Sequence, residues 1–158
     1  SFFEDTINNI EQEEVYSTYT VREKVVAFYY TWIETLKSNR SFILSVYQAK
    51  KDRGIRLEDF KVLKAFKHSF QDYMTNLVNE GLESGEIAER PYITTQYSKA
   101  LWVQTLTILR FWIKDTSQSF EKTDIYIEKA ANLGFDLMGK TALDSAFDLV
   151  KFAFQNRM

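Results

Sequence analysis

Cysteine is absent from this 158-residue sequence, which excludes disulfides, thiolate nucleophiles and Cys-ligated metal. Histidine occurs once, as His68. One histidine cannot furnish the two Glu-x-x-His motifs of a carboxylate-bridged di-metal bundle, and the residue three before it is Ala65. A Ser-His-Asp arrangement would have to recruit the same side chain, and no nucleophile elbow accompanies it. No glycine-rich loop has the spacing of a phosphate cradle. Basic charge is not in excess: 20 Lys and Arg stand against 22 Asp and Glu, a net charge of −2, so composition supplies no electrostatic footprint for nucleic acid. No uninterrupted apolar run approaches the roughly 20 residues that cross a bilayer, and no signal peptide is visible. The expectation is a single domain over residues 1–158 with no enzymatic activity, no metal, no cofactor and no membrane span, a pattern compatible with the cytoplasm.

What the sequence has in quantity is aromatic side chains: 13 Phe, 9 Tyr and 3 Trp, 16% of residues. They suit either a core of large residues or a cavity lined by rings. Their spacing is helical. Over 20–38, Val21, Val25, Phe28, Trp32, Ile33 and Leu36 share one face, with Glu23, Lys24, Thr31 and Glu34 opposite. Thr20 and Glu23 have capping-box spacing. Phe3, Ile7 and Ile10 line one side of the segment before it, and Phe42, Ile43, Val46 and Tyr47 mark a short helix over 40–52. Leu63, Phe66, Phe70, Tyr73 and Leu77 step by three and four through a long helix predicted over 57–84. His68 lies nearly opposite that stripe, facing solvent.

Glycine and proline are rare, yet Gly81, Gly85 and Pro91 fall within one stretch, LVNEGLESGEIAERP. Gly81 costs a helix about 1 kcal/mol relative to Ala, which points to fraying or close packing. Gly85 suits a left-handed helix end, and Pro91 keeps the helix from resuming at once. Thr94 or Thr95 is placed to cap the next helix, over 96–114. There Leu101, Thr105, Ile108 and Trp112 form one apolar row, and Trp102, Leu106, Leu109 and Ile113 the adjacent one. The segment 120–138 has a similarly wide face of Ile127, Ala130, Ala131, Gly134, Leu137 and Met138. Thr141 and Asp144 offer another capping spacing before a last amphipathic helix carrying Leu143, Ala146, Phe147, Val150 and Phe154. No strand alternation competes, so the fold class is all-α, with about seven helices.

A long helix ending in EGLESGEI, a short loop and then a hydrophobic helix resembles the C-terminal domain of TetR-family transcriptional regulators. Gly81, Gly85, Glu86 and Ile87 match the family's helix-ending pattern, and FEKTDIYIEKAANLGFDLMG is similar to its penultimate dimer helix. Arg90-Pro91 departs from the acidic residue many relatives place before this turn. The resemblance implies a sensor that dimerises and holds a small effector, joined to DNA only through an N-terminal helix-turn-helix. That reader is not recognisable in this chain, which opens without Met on a helical segment and reads as a fragment of a longer protein. A similar helical domain occurs in lipid-binding accessory proteins of ubiquinone biosynthesis, the alternative reading.

Two sets of candidate residues follow. A pocket between the helices at 20–38, 40–52, 57–84 and 96–114 would be lined by Tyr29, Trp32, Tyr47, Phe66, Phe70, Tyr73, Trp102 and Thr105. No Lys, Arg or carboxylate clearly joins them, so the expected effector is largely apolar or weakly polar. A homodimer would form through the two wide-faced helices, using Leu109, Trp112, Ile127, Ala130, Ala131, Gly134 and Leu137, because arcs that wide need more than one neighbour.

Overall fold

Each expected helix forms. The computed structural model describes residues 1–140 and 142–156, with Ala142 and Leu143 by backbone alone. The helices are α1 (Phe2–Glu11), α2 (Val21–Lys37), α3 (Arg40–Asp52), α4 (Lys61–Ser84), α5 (Tyr97–Lys114), α6 (Glu121–Met138) and α7 (Ala142–Gln155). No strand occurs among the described residues. The expected Thr141 cap and the Leu143 side chain lie outside that set.

Most of the anticipated local signals operate. At α2 the Thr20 hydroxyl accepts from the Glu23 amide at 3.2 Å, while the Glu23 carboxylate accepts from the Thr20 amide at 2.7 Å. Two starts differ from expectation. The helix predicted from Leu57 breaks at Phe60, whose extended backbone sends its ring into the core after a single turn at Leu57–Asp59. Neither Thr94 nor Thr95 caps α5 through its side chain. The Thr94 hydroxyl instead accepts from the Arg90 amide at 2.8 Å and donates to the Arg90 carbonyl at 2.9 Å, closing the loop on itself.

α2 packs against α1, α4 and α6, and α5 against α4 and α6. The glycine-rich stretch fastens this arrangement. Gly81 is buried because Ile87 lies on it: a Cβ added there would meet the Ile87 Cδ1 at 2.6 Å. Close packing, rather than fraying, is therefore the reason for that glycine. Gly85 reverses the chain at φ 83°, where a Cβ would be strained. Glu86 then reaches the start of α2, where its carboxylate accepts from the amides of Val21 at 2.9 Å and Arg22 at 3.3 Å. An anion at these unpaired amides is stabilised by the helix dipole as well as by the bonds. The Ala88 amide donates to the Met138 carbonyl at 2.8 Å, so the same eight residues also close the end of α6.

A second fastening lies at the α5–α6 corner. The Arg40 guanidinium stacks 4.6 Å from the Trp112 ring and 4.4 Å from Phe120. It donates to the carbonyls of Trp112 at 2.8 Å and Asp115 at 2.9 Å, capping α5. Asp115 accepts from Ser117 and Thr123 and so caps α6. Phe120 sits at φ 57°, a left-handed conformation that costs a bulky residue about 1–2 kcal/mol. The stacked Arg40 and Trp112 hold it there.

Candidate functional site

The rings singled out from sequence converge on the seam between α2, α4 and α5. Trp32 stacks on Phe66 at 5.2 Å, and Phe66 on Phe70 at 6.0 Å. Trp102 meets Phe66 at 5.9 Å and Phe70 at 5.5 Å. Tyr73 joins through Phe28 at 5.6 Å. Tyr29 contacts Phe28 at 5.8 Å, and its hydroxyl accepts from the Thr105 hydroxyl at 3.2 Å. Burial pushes the Tyr29 phenol far above its ordinary range, so it stays a neutral donor. Tyr47 does not belong to this group. It packs 6.4 Å from Phe60 and lines a separate surface recess.

Sequence reasoning left out two members. Phe28 is fully buried at the centre of the cluster. Phe3, from α1, lies 5.4 Å from Phe66, 6.0 Å from Phe28 and 6.1 Å from Tyr73. Their helical spacing had marked both as inward-facing; what it could not show is that α1 docks on this seam. Lys24, expected on the polar face, is buried and paired with Glu80 at 2.6 Å, over the Tyr16 ring at 5.2 Å. Its place four residues before Phe28 puts it on the core side, and only its charge suggested otherwise. The Tyr16 and Tyr73 hydroxyls share a hydrogen bond beside it. Burial, then the bond to Tyr16, raises the Tyr73 pKa well beyond the usual tyrosine range. The inward set is thus not free of charge: an ion pair borders it.

Two open recesses mark the surface. One, of about 460 Å³, runs between α2 and α6 and is lined by Tyr19, Arg22, Tyr30, Glu128 and Asn132 among others. Burial, with Glu128 and Asp124 nearby, pushes the Tyr30 phenol up to about 12. The other, of about 330 Å³, lies against Tyr47, Lys51, Arg56 and Arg110. Glu58 accepts from both arginines, which hold its carboxyl near a pKa of about 2, so one carboxylate stands against three cations there. His68 points into solvent, 3.6 Å from Asp72. Among the described residues, no group of three or more His, Asp or Glu could hold a metal ion. Among the described residues, no helix is long and apolar enough to cross a membrane.

The family model described as Tetracyclin repressor-like, C-terminal domain, matches residues 24–153. The chain belongs to this family. No curated protein and no solved structure matches it. The match begins within α2 and ends within α7, so the ring cluster (except Phe3), the Gly81–Ile87 staple and the α5–α6 corner all belong to the TetR-like domain.

The expected dimer residues of the TetR-like domain divide into two groups. Leu109, Trp112, Ile127 and Ala131 are buried within the subunit, Trp112 and Ile127 to 0% exposure, and offer nothing to a second chain. The wide arc of α5 is used up by α4 and α6 of its own subunit. The Trp112 indole N–H has no hydrogen-bond partner among the described residues. Gly134 also serves the subunit interior: a Cβ there would lie 3.0 Å from the Gln104 amide nitrogen, which donates to the Ala130 carbonyl at 2.6 Å. Leu137, by contrast, is exposed, and Ala130 is half-buried. With Val103, Ile125 and Leu133, which sequence reasoning passed over, Leu137 leaves an apolar stripe on the outside of α5 and α6. Phe111 and Tyr126 stack at 4.6 Å across the same two helices.

Proposed function

We propose that this chain is the effector-sensing and dimerisation part of a TetR-like transcriptional regulator that works in the cytoplasm without catalysis. DNA is read by an N-terminal helix-turn-helix outside these residues, and the domain pairs through the outer stripe of α5 and α6. The effector is small and largely apolar. It enters among Trp32, Phe66, Phe70, Tyr73 and Trp102, with the Tyr29–Thr105 hydroxyl pair orienting one polar group. Phe66 and Tyr73 are the half-buried members and form its entrance.

One observation carries this reading. Phe3 places α1 directly on the ring cluster, and α1 is the segment that leads toward the reader in the regulators this domain resembles. A ligand that separates Phe66 from Phe70 must shift Phe3, so binding and reader geometry are coupled through one side chain. A ligand acts only to the extent that it prefers one of two geometries.

The test is thermal denaturation with a panel of uncharged aromatic and medium-chain aliphatic compounds. A binder at 100 times its Kd stabilises by about 2.7 kcal/mol, which raises Tm by roughly 5–10 °C in a chain of this size. Phe3→Ala should reduce that shift. Stabilisation unaffected by Phe66→Ala but removed by changes at Tyr30 or Arg22 would move the site to the α2–α6 recess and refute the ring site. The lipid-carrier alternative draws on the exposed apolar side chains of α7, and vesicle binding by the intact chain would favour it.

A further inference from the structure

The basic run QAKKDRGIR, from Gln48 to Arg56, closes α3 and opens the connector to α4. Gly54 turns the chain there at φ 72°. The Gly54 amide donates to the Lys51 carbonyl at 2.9 Å and the Ile55 amide to the Lys50 carbonyl at 3.0 Å, the paired closure of a left-handed helix end. Two carbonyls that would otherwise repel an anion are thereby occupied. The turn brings Ile55, Arg56 and Leu57 back beside Tyr47 and Lys51, and Arg110 of α5 completes the recess of about 330 Å³. Glu58 gives one carboxylate oxygen to Arg56 and the other to Arg110. It fixes both guanidiniums and occupies only part of the five N–H donors that each carries. The neighbouring acids are engaged elsewhere: Asp52 accepts from Gln48 at 2.7 Å, and Asp59 lies 3.8 Å from Lys64. A chain with a net charge of −2 thus gathers an excess of positive charge at one hollow.

We infer that this recess binds a phosphomonoester carried on a small flat ring, at a site separate from the ring seam. Charge supports a dianion. Lys51, Arg56 and Arg110 less Glu58 leave a surplus of two; a phosphomonoester carries about −1.5 to −2 at neutral pH, whereas a monocarboxylate leaves one cation unmatched. Geometry supports phosphate. The planar guanidinium fork matches phosphate oxygens two at a time, and arginines already held by Glu58 lose less freedom on binding than free ones. The walls support a ring. Tyr47, Ile55 and Leu57 give the recess an apolar side, against which a flat body stacks. Size sets the limit. A volume of about 330 Å³ lies at the lower end of small-molecule sites, enough for a phosphate and one ring but too little for a dinucleotide. A nucleic-acid backbone needs a basic track rather than a single hollow. None of the lining residues belongs to the ring seam, so this site neither requires the proposed effector nor competes with it.

The test is titration calorimetry of the intact chain with phenyl phosphate at low salt, alongside amide NMR spectra. The Kd should be roughly 0.1–1 mM, the range open to a ligand of this size, and the amides of Gly54 and Ile55 should shift. Arg110→Gln and Lys51→Gln should each weaken binding about 10-fold, the scale of one charge-assisted hydrogen bond. Both side chains are exposed, so the helicity and Tm of these variants should match the parent. Lys99→Gln removes the same charge from an exposed position on α5 that does not line the recess, and should change Kd less than about 2-fold. Phenyl sulfate, a monoanion, should bind about 10-fold more weakly than phenyl phosphate. Tyr47→Leu should weaken phenyl phosphate about 5-fold and leave inorganic phosphate unchanged, which separates the ring contact from the charge. Phe66→Ala should leave the phenyl phosphate affinity unaltered. Absence of heat and of amide shifts at about 10 mM ligand would overturn the site. Equal losses from Lys99→Gln and Arg110→Gln would overturn it as diffuse surface charge. Binding removed by Phe66→Ala but not by Arg110→Gln would place the anion in the ring seam. Binding to duplex DNA or to phosphatidic acid vesicles through Arg110, with none to phenyl phosphate, would overturn the small soluble ligand.

Discussion

α6 and α7 follow one another with only 139–141 between them, and each is amphipathic. α6 sinks Thr123, Ile127, Ala131, Phe135 and Met138 against α2 and α5. α7 exposes side chains at least as apolar. Their sequence patterns give no reason for the difference; their neighbours do. By the end of α6, the inner faces of α2, α4 and α5 are already occupied by the ring cluster and by each other. A face that arrives later in the chain has no place inside the subunit. Periodicity states that a face must be covered, and the packing of the rest of the chain decides whether its own subunit can cover it.

The sharpest way to test the inner half of that contrast is to remove a ring from its centre. Phe70 is fully buried between Phe28, Phe66 and Trp102. Phe70→Ala should cost about 3–5 kcal/mol, seen as a fall in Tm of roughly 10–15 °C. A loss below about 1.5 kcal/mol would mean that the seam already contains free volume and that its rings are not what holds α2 to α4.

The staple at the end of α4 comes next. Gly81→Leu places a side chain where Ile87 now rests at 2.6 Å from the Cβ position. Overpacking of this kind typically costs about 1–3 kcal/mol. The strain should also loosen Glu86 from the start of α2, so the first-turn amides of Val21 and Arg22 should exchange with deuterium faster than in the parent. Unchanged exchange at those two amides would show that Glu86 does not depend on the seat of Ile87.

How far the sequence could be read follows from the range of each interaction. The helices, the Thr20 cap, the left-handed Gly85 and the solvent-facing His68 depend on residues within a turn of one another, and all were legible. The ring seam was legible as a set of inward-facing positions on α2, α4 and α5. Tyr47 was misplaced because α3 buries no side chain fully and carries its ring toward Phe60 instead. Trp112 and Ile127 were assigned to a partner because the width of a face was taken for an intermolecular contact. Lys24, Arg40 and Arg90 were invisible as structural residues, since each draws partners from 47 to 75 residues away. No local pattern encodes a guanidinium that caps a helix two elements later.

The corner built on Asp115 gives a pH-dependent measure of the inner region. Burial alone would raise this carboxyl, but hydrogen bonds from Ser117 and Thr123 outweigh it and hold its pKa at about 2, below the ordinary 3.8. A depressed carboxylate contributes its full stabilisation above its unfolded pKa, and loses it as pH falls toward the folded value. The stability gap between the parent and Asp115→Asn should therefore be constant, about 1–2 kcal/mol, from neutral pH to about pH 4.5. It should narrow between about pH 4 and pH 2. Urea midpoints across that range measure it, and a gap that widens on acidification would contradict the capping role.

The smallest effect belongs to the outer helix, and its smallness is the point. On a Leu133→Asp background, which should be monomeric, Phe147→Ser changes only a side chain that is 68% exposed. A surface substitution with no partner among the described residues of its own subunit normally lies within about 0.5 kcal/mol of the parent, a shift of 1–2 °C at most. If the proposed dimer covers α7, the same change in the parent should lower Tm more, and more strongly as protein concentration falls, because the lost contact is then intermolecular. The contrast between α6 and α7 thus becomes a concentration dependence: Ile127→Ala should destabilise monomer and dimer alike, and Phe147→Ser the dimer alone. If Phe147→Ser costs the monomer as much as Ile127→Ala does, α7 packs on its own subunit in solution and the two helices differ in nothing but degree.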